Sequence, residues 1–139
     1  VRDLARRLEI ATTAGGVGIW SRDLQTEAGE WNAQMYTIAG RSAALGAPSV
    51  VEWVEQIVHP DDRDRLRDTS GVLASIGPEM IDLEYRILRP GGEVRWLANR
   101  ARRELWNGRP MIFGTTLDIT ERRRTELALR AADERAALA

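Results

Sequence analysis

Between Arg109 and Leu129 the chain changes its hydrophobic period with no intervening loop. Met111, Phe113, Thr115 and Leu117 alternate with Ile112, Gly114, Thr116 and Asp118, a period of two carried by residue types that favour an extended chain. From Thr120 the pattern is helical. Thr120 is a candidate N-cap, Glu121 sits where the helix dipole favours an acid, and Glu126, Leu127, Ala128, Leu129 and Arg130 are helix formers. Any fold for this chain must therefore end a sheet strand at the rim of the core and send a helix straight out of it. A movement in that sheet passes directly to whatever follows the helix.

The rest of the chain separates strands from helices. Ile81, Leu83, Tyr85 and Ile87 alternate with Asp82, Glu84 and Arg86, which predicts a strand. Pro90-Gly91-Gly92 turns it into a return strand over Val94–Leu105, and Trp106-Asn107-Gly108 makes an Asn-Gly turn into the strand Pro110–Asp118. Two shorter strands are predicted near the amino terminus: Val17–Asp23, with Val17, Ile19 and Trp20 buried, and Glu30–Asn32. Trp20 and Trp31 read as core aromatics. Helices fill the middle. Asn32 caps one that Gly40 ends; Val50–Val58 presents Val51, Val54 and Val58; His59-Pro60 breaks it; and Asp61 or Asp62 caps another that runs to about Ala74, with Leu66, Thr69 and Leu73 on one face. Gly77-Pro78 reads as a loop. This order predicts an α+β domain, an antiparallel sheet with helices over one face. An amino-terminal helix, Val1–Ala14, carries the stripe Val1, Leu4, Leu8 and Ala11. That stripe packs either on the domain's own sheet or against the same stripe of a second copy, as a homodimer seam.

Three ordered motifs give the chain a family resemblance. Asp118-Ile119-Thr120 followed by Glu121-Arg122-Arg123 resembles the ending of PAS sensory domains. His59-Pro60-Asp61-Asp62-Arg63 resembles the motif that opens the long helix of one PAS subfamily, the fold-3 type. Glu84-Tyr85-Arg86-Ile87, with Pro90-Gly91-Gly92-Glu93-Val94-Arg95-Trp96, resembles its hairpin. Together they extend from about Gly18 to Arg124. The resemblance implies a PAS fold: a five-stranded antiparallel sheet in the order 2-1-5-4-3, helices enclosing a cavity, and flanking amino- and carboxy-terminal helices. It divides the chain into a flanking helix (1–14), the PAS domain (15–120) and an exit helix (121–139). It also implies a signal relay through Asp118, Ile119, Thr120 and Glu121 to a downstream output domain of the same chain. A bacterial sensory-box histidine kinase is the leading parent. A diguanylate cyclase or other regulator, or a ligand-free dimerisation or docking module, is the alternative.

The chemistry of the side chains narrows this further. No nucleophile–base pair, phosphate-binding loop or metalloprotease motif occurs, so the segment itself is not expected to be an enzyme. The chain has no cysteine, which excludes disulfides, thiolate metal sites and cysteine–flavin photochemistry. The flavin branch's Asn-Cys-Arg-Phe-Leu stretch is missing too. The single histidine, His59, precedes a proline at a helix entry, where it bonds backbone more readily than haem iron. No cofactor is expected; an unassigned small ligand remains open, with Arg100, Arg102 and Arg103 as candidate partners for an acidic one. A net charge of −1 with interleaved signs argues against nucleic acid. No run of 18 apolar residues occurs, so no direct membrane insertion is expected and a cytoplasmic location is, in a parent that is anchored, if at all, outside this segment.

Overall fold

The structure is a computed structural model that describes residues 2–75 and 80–138. Its frame is one five-stranded sheet: β1 (Gly18–Asp23), β2 (Gly29–Trp31), β3 (Met80–Leu88), β4 (Val94–Trp106) and β5 (Arg109–Asp118). The order is β2-β1-β5-β4-β3 with every neighbouring pair antiparallel, the order that the resemblance implied. The β4–β5 hairpin turns through Asn107 and Gly108, both at positive φ (51° and 78°), the geometry that favours Asn-Gly.

The helices α2 (Ala33–Ala39), α3 (Val50–Glu52) and α4 (Arg63–Ser75) cover one face. Asn32 caps α2 by accepting from Met35 N at 3.0 Å, and it ties the helix to β1 by accepting from Ile19 N and donating to Val17 O. Gly40 ends the helix at φ 65°. α3 widens at once into a π-turn over Trp53–Ile57, closed by Val58 N donating to Trp53 O at 2.8 Å. The core lies between helices and sheet: Ile38, Val54, Val58, Leu66, Tyr85, Ile87 and Leu97 form one cluster, and Leu73, Ala101 and Ile112 a second.

Several side chains face other ways than the sequence suggests. In β1 the inward row is Gly18, Trp20 and Arg22, and Ile19 is 40% exposed. Gly18 is turned inward because α2 lies so close that a Cβ there would meet Met35 Sδ at 2.8 Å. Val51 points outward because Val50 takes the inner position in the single turn before the helix widens. Neither Asp61 nor Asp62 caps the long helix. The His59 ring does so for the 3-10 turn Pro60–Asp62 that leads into it, with Nδ1 accepting from Asp61 N at 3.1 Å. Gly77-Pro78 and Val1 lie outside the described residues.

The segment before α4 also covers the carboxy-terminal end of the outer edge of β3. Val58 bridges to Ile87, His59 N donates to Arg86 O at 2.9 Å, and Asp62 accepts from Arg86 N at 2.8 Å. Asp62 is buried, and its carboxylate also takes the Arg86 guanidinium through Nε (3.1 Å) and Nη2 (2.9 Å). The two terminal helices stand apart from the core. In α1 (Arg2–Ala14), Leu4, Leu8, Ile10 and Ala11 are exposed. In α5 (Thr120–Leu138), Thr120 is buried and most of the remaining length is solvent-facing.

Candidate functional site

Two features of the fold meet at the end of β5: a cavity under the helices and the junction with α5. The junction is built from Asp118. Its Oδ1 accepts from Thr120 N (3.0 Å) and Thr120 Oγ1 (2.6 Å), and its Oδ2 accepts from Arg95 Nε (2.8 Å). Burial alone would raise the Asp118 carboxyl. The bonds from Arg95 and Thr120 outweigh it and hold the group below its ordinary value. Asp118, not Thr120, therefore supplies the capping oxygen. Thr120 is the first residue of the helix, and its hydroxyl instead accepts from Trp96 N on β4 (2.9 Å). Ile119 is buried and donates to Trp96 O at 2.8 Å. Three of the four predicted junction residues thus hold β4, β5 and α5 together. Glu121 is exposed and pairs within the helix, with Arg124 at 2.7 Å.

The first turns of α5 carry Arg122, Arg123 and Arg124, which the helix dipole disfavours there. The sheet compensates. Glu84 of β3 pairs with Arg123 (3.1 Å) and Arg122 (3.4 Å), and the Arg123 guanidinium lies 3.7 Å from the centre of the Trp96 ring. Arg86 also stacks on Trp96, at 5.1 Å. Glu84 and Trp96 were not legible as partners of this helix, since neither belongs to a local pattern that points to it.

The cavity has a volume of about 110 Å³ and lies between Trp20, Trp31 and Trp53 above the sheet residues Tyr85, Asn99 and Ile112. A chain of hydrogen bonds crosses its floor. Trp53 Nε1 donates to Tyr85 OH (3.2 Å), Asn99 Nδ2 donates to Tyr85 OH (2.7 Å), Thr116 Oγ1 donates to Asn99 Oδ1 (2.7 Å), and Trp20 Nε1 donates to Thr116 Oγ1 (3.1 Å). Tyr85 and Thr116 are fully buried. Burial pushes the phenol of Tyr85 well above its ordinary value, with the bonds from Trp53 and Asn99 opposing, so the hydroxyl stays protonated. Thr116 lies two residues before Asp118 on the same inward row of β5, so the chain ends beside the junction.

Sequence reasoning missed this network because its members come from four separate segments. It also overlooked Arg22, which lines the cavity. Of the three arginines singled out, Arg100 pairs with Asp82 and Arg102 with Glu104 on the outer sheet face. Arg103 is on the helix side, with its Nε buried and unpartnered among the described residues, but it does not line the cavity. His59 is held by backbone at the helix entry. Among the described residues no group of metal-binding side chains is clustered. The space of about 110 Å³ is smaller than the apolar cavity of about 150 Å³ that accepts benzene.

This geometry has relatives. A sensory box histidine kinase/response regulator from Burkholderia thailandensis superposes with a TM-score of 0.72 at 26% identity, covering 96% of this chain and 99% of that one. The N-terminal domain of a diguanylate cyclase with PAS/PAC sensor from Marinobacter aquaeolei follows at 0.67 and 20% identity, covering 77% and 98%. In sequence, a blue-light-activated histidine kinase from Brucella anthropi is 29% identical over 120 residues, which is 86% of this chain and 24% of the relative. The chain thus spans about a quarter of the length of the curated relatives it matches. The family model described as the PAS fold matches residues 30–116, which takes in all or most of four of the five strands, all three covering helices and every member of the cavity-floor chain but Trp20. With the strand order, the covered cavity and that match in agreement, the chain belongs to the PAS family of sensory domains.

Proposed function

We propose that this chain is the sensing and relay module of a bacterial signalling protein of the histidine-kinase kind, working in the cytoplasm. In this reading residues 15–120 sense, and α5 carries the result to an output domain. The observation that carries the proposal is the continuity of the polar chain with the junction: Tyr85, Asn99 and Thr116 lead from the cavity to the row that ends at Asp118. A change at the cavity floor shifts β5, moves the Asp118 carboxylate, and weakens the first turn of α5, where three arginines already make the helix dependent on partners. The kinase relatives support the choice of output. Among the described residues no helix is long and apolar enough to cross a membrane.

Amide hydrogen exchange tests the relay without knowledge of the stimulus. Asp118→Ala is expected to lower protection in the first turn of α5 about fivefold to tenfold, the loss of one cap. Tyr85→Phe, at the far end of the chain, is expected to alter protection in that same turn. If Tyr85→Phe leaves it unchanged while Asp118→Ala does not, Asp118 is a cap and nothing more, and the relay reading is wrong.

The same proposal makes α1 the seam of a homodimer. Leu4, Leu8 and Ala11 are exposed along it, and Ile10 adds to the apolar surface. Leu4→Glu with Leu8→Glu is expected to move the sedimentation coefficient of the full chain towards that of a monomer. A dimer of undiminished stability would mean that α1 is not what joins the subunits.

A further inference from the structure

In an antiparallel pair, every second residue of a strand turns both its N–H and its C=O away from its neighbour. β3 is the last strand of the sheet, so on its free side these groups face outward. Arg86 sets the phase, because its N–H and C=O are taken from outside the sheet by Asp62 and His59. Glu84, Asp82 and Met80 follow in the same phase. Among the described residues, no hydrogen bond from outside the sheet reaches their backbone. The covered part of the edge therefore ends at Arg86, and the open part runs from Met80 to Glu84.

A groove lies along this open length, lined by Arg65, Asp82, Leu83, Glu84, Trp96 and Arg123. Charged side chains on an edge strand commonly deter an incoming strand. Here both carboxylates are already neutralised. Asp82 pairs with Arg100 at 2.7 Å, and Glu84 pairs with Arg123 at 3.1 Å and Arg122 at 3.4 Å. The cation left over is Arg65 of α4. It is exposed, and its carboxylate neighbour among the described residues is Asp62 at 3.6 Å, which already accepts three bonds from Arg86. On the helix side of β3, Ile81 and Leu83 are only half-buried. The edge thus offers unpaired backbone, a half-covered apolar strip and one surplus positive charge side by side.

We propose that the Met80–Glu84 edge of β3 takes an extended segment of another protein as an added strand, with an acidic side chain of that segment on Arg65. The backbone calls for a strand, because an extended chain presents donors and acceptors at the spacing of Met80, Asp82 and Glu84. The segment before α4 already treats the adjacent residues this way, with Val58 bridging to Ile87. Side chains of the added strand alternate between the two faces. Those on the helix side cover Ile81 and Leu83 and reach Arg65, and those on the other side lie against Glu84 and Trp96. A second copy of this chain is a poorer occupant, because two identical edges would each bring a surplus arginine. The proposal is independent of what the cavity holds.

The test is a titration of the full, isotope-labelled chain with a short capped peptide of alternating valine and threonine that carries one central glutamate. At millimolar concentration the peptide is expected to shift the backbone amide signals of Asp82 and Glu84. The same peptide N-methylated at every residue has no N–H to pair and is expected to leave them in place. Lysine in place of the glutamate is expected to weaken binding about fivefold, and Arg65→Glu to reverse that order. Asp82→Pro removes an outward N–H at an edge position where proline is tolerated, and is expected to weaken the glutamate peptide at least about tenfold. No shift at Asp82 and Glu84, or equal binding of the N-methylated peptide, overturns the proposal on the unsubstituted chain, so it does not depend on a variant's folding. An Arg65→Glu chain that still prefers glutamate overturns it as well. So does a parent chain that self-associates and becomes monomeric on Asp82→Pro, since the occupant would then be a second copy.

Discussion

Asp62→Ala is expected to lower the stability of the domain by about 3 kcal/mol at neutral pH, the low end for breaking a buried ion pair from one side. The low end applies because Arg86 keeps some solvent and its stack on Trp96. The Asp62 carboxylate accepts three bonds from Arg86, and Arg65 lies 3.6 Å away. Chiefly through the Arg86 guanidinium, and against the effect of burial, its pKa falls from 3.8 to about 2. A pKa depressed in the folded state stabilises at pH values above the unfolded pKa, and the contribution disappears as pH falls through the folded one. The stabilisation is therefore complete above about pH 4 and lost between there and about pH 2, a change of about 2 kcal/mol. Denaturant titrations of parent and variant should converge over that window. A gap equally wide at both ends would show that the charge is not its source.

Gly114→Ala is expected to cost about 3 kcal/mol, the upper end for overpacking in a filled interior. Gly114 is opposite Trp20 in the β1–β5 register, and a Cβ there would overlap the Cζ2 and Cε2 atoms of the indole. Backbone holds Gly114 in place, so the ring must move. It then leaves both the cavity wall and its bond to Thr116. Trp20→Leu removes the collision at its source. In a double-mutant cycle the pair should therefore cost less than the two single changes added together. Strict additivity would mean that Gly114 is sensitive for some other reason.

The two substitutions also mark how far the sequence could be read. Strand periods, turn chemistry and the Asn32 and Gly40 caps depend on neighbours in the chain, and they predicted the sheet and the order of its helices. Which side of a strand faces in depends on what arrives from elsewhere. Ile19 lost the core to Gly18 because α2 passes too close for a side chain. In β5 the buried row is Ile112, Gly114 and Thr116, smaller on average than Phe113, Thr115 and Leu117 outside, because Trp20 already occupies the space above it. Asp62 looked like a cap, and its actual partner is 24 residues away. The junction was legible for a contrasting reason: Asp118 and Thr120 are two residues apart, and their bond is local. The cavity floor joins Trp20, Trp53, Tyr85, Asn99 and Thr116, and no window of the sequence contains them together.

The covered edge of β3 has a consequence for how the domain behaves in company. A sheet grows by adding strands at its rims, and an open rim invites a neighbouring molecule to do so. Here one rim is occupied at its carboxy-terminal end by the Val58–Asp62 segment, which takes up the Arg86 amide and carbonyl. The opposite rim is β2, only three residues long and flanked at Gly29 by Ala47 and Pro48. At the Arg86 end of β3 and along β2, little free backbone is left on which intermolecular β-pairing nucleates. A second copy brought alongside meets a sheet whose β2 rim is short and whose β3 rim is closed at its Arg86 end, which disfavours fusion of two sheets at those places.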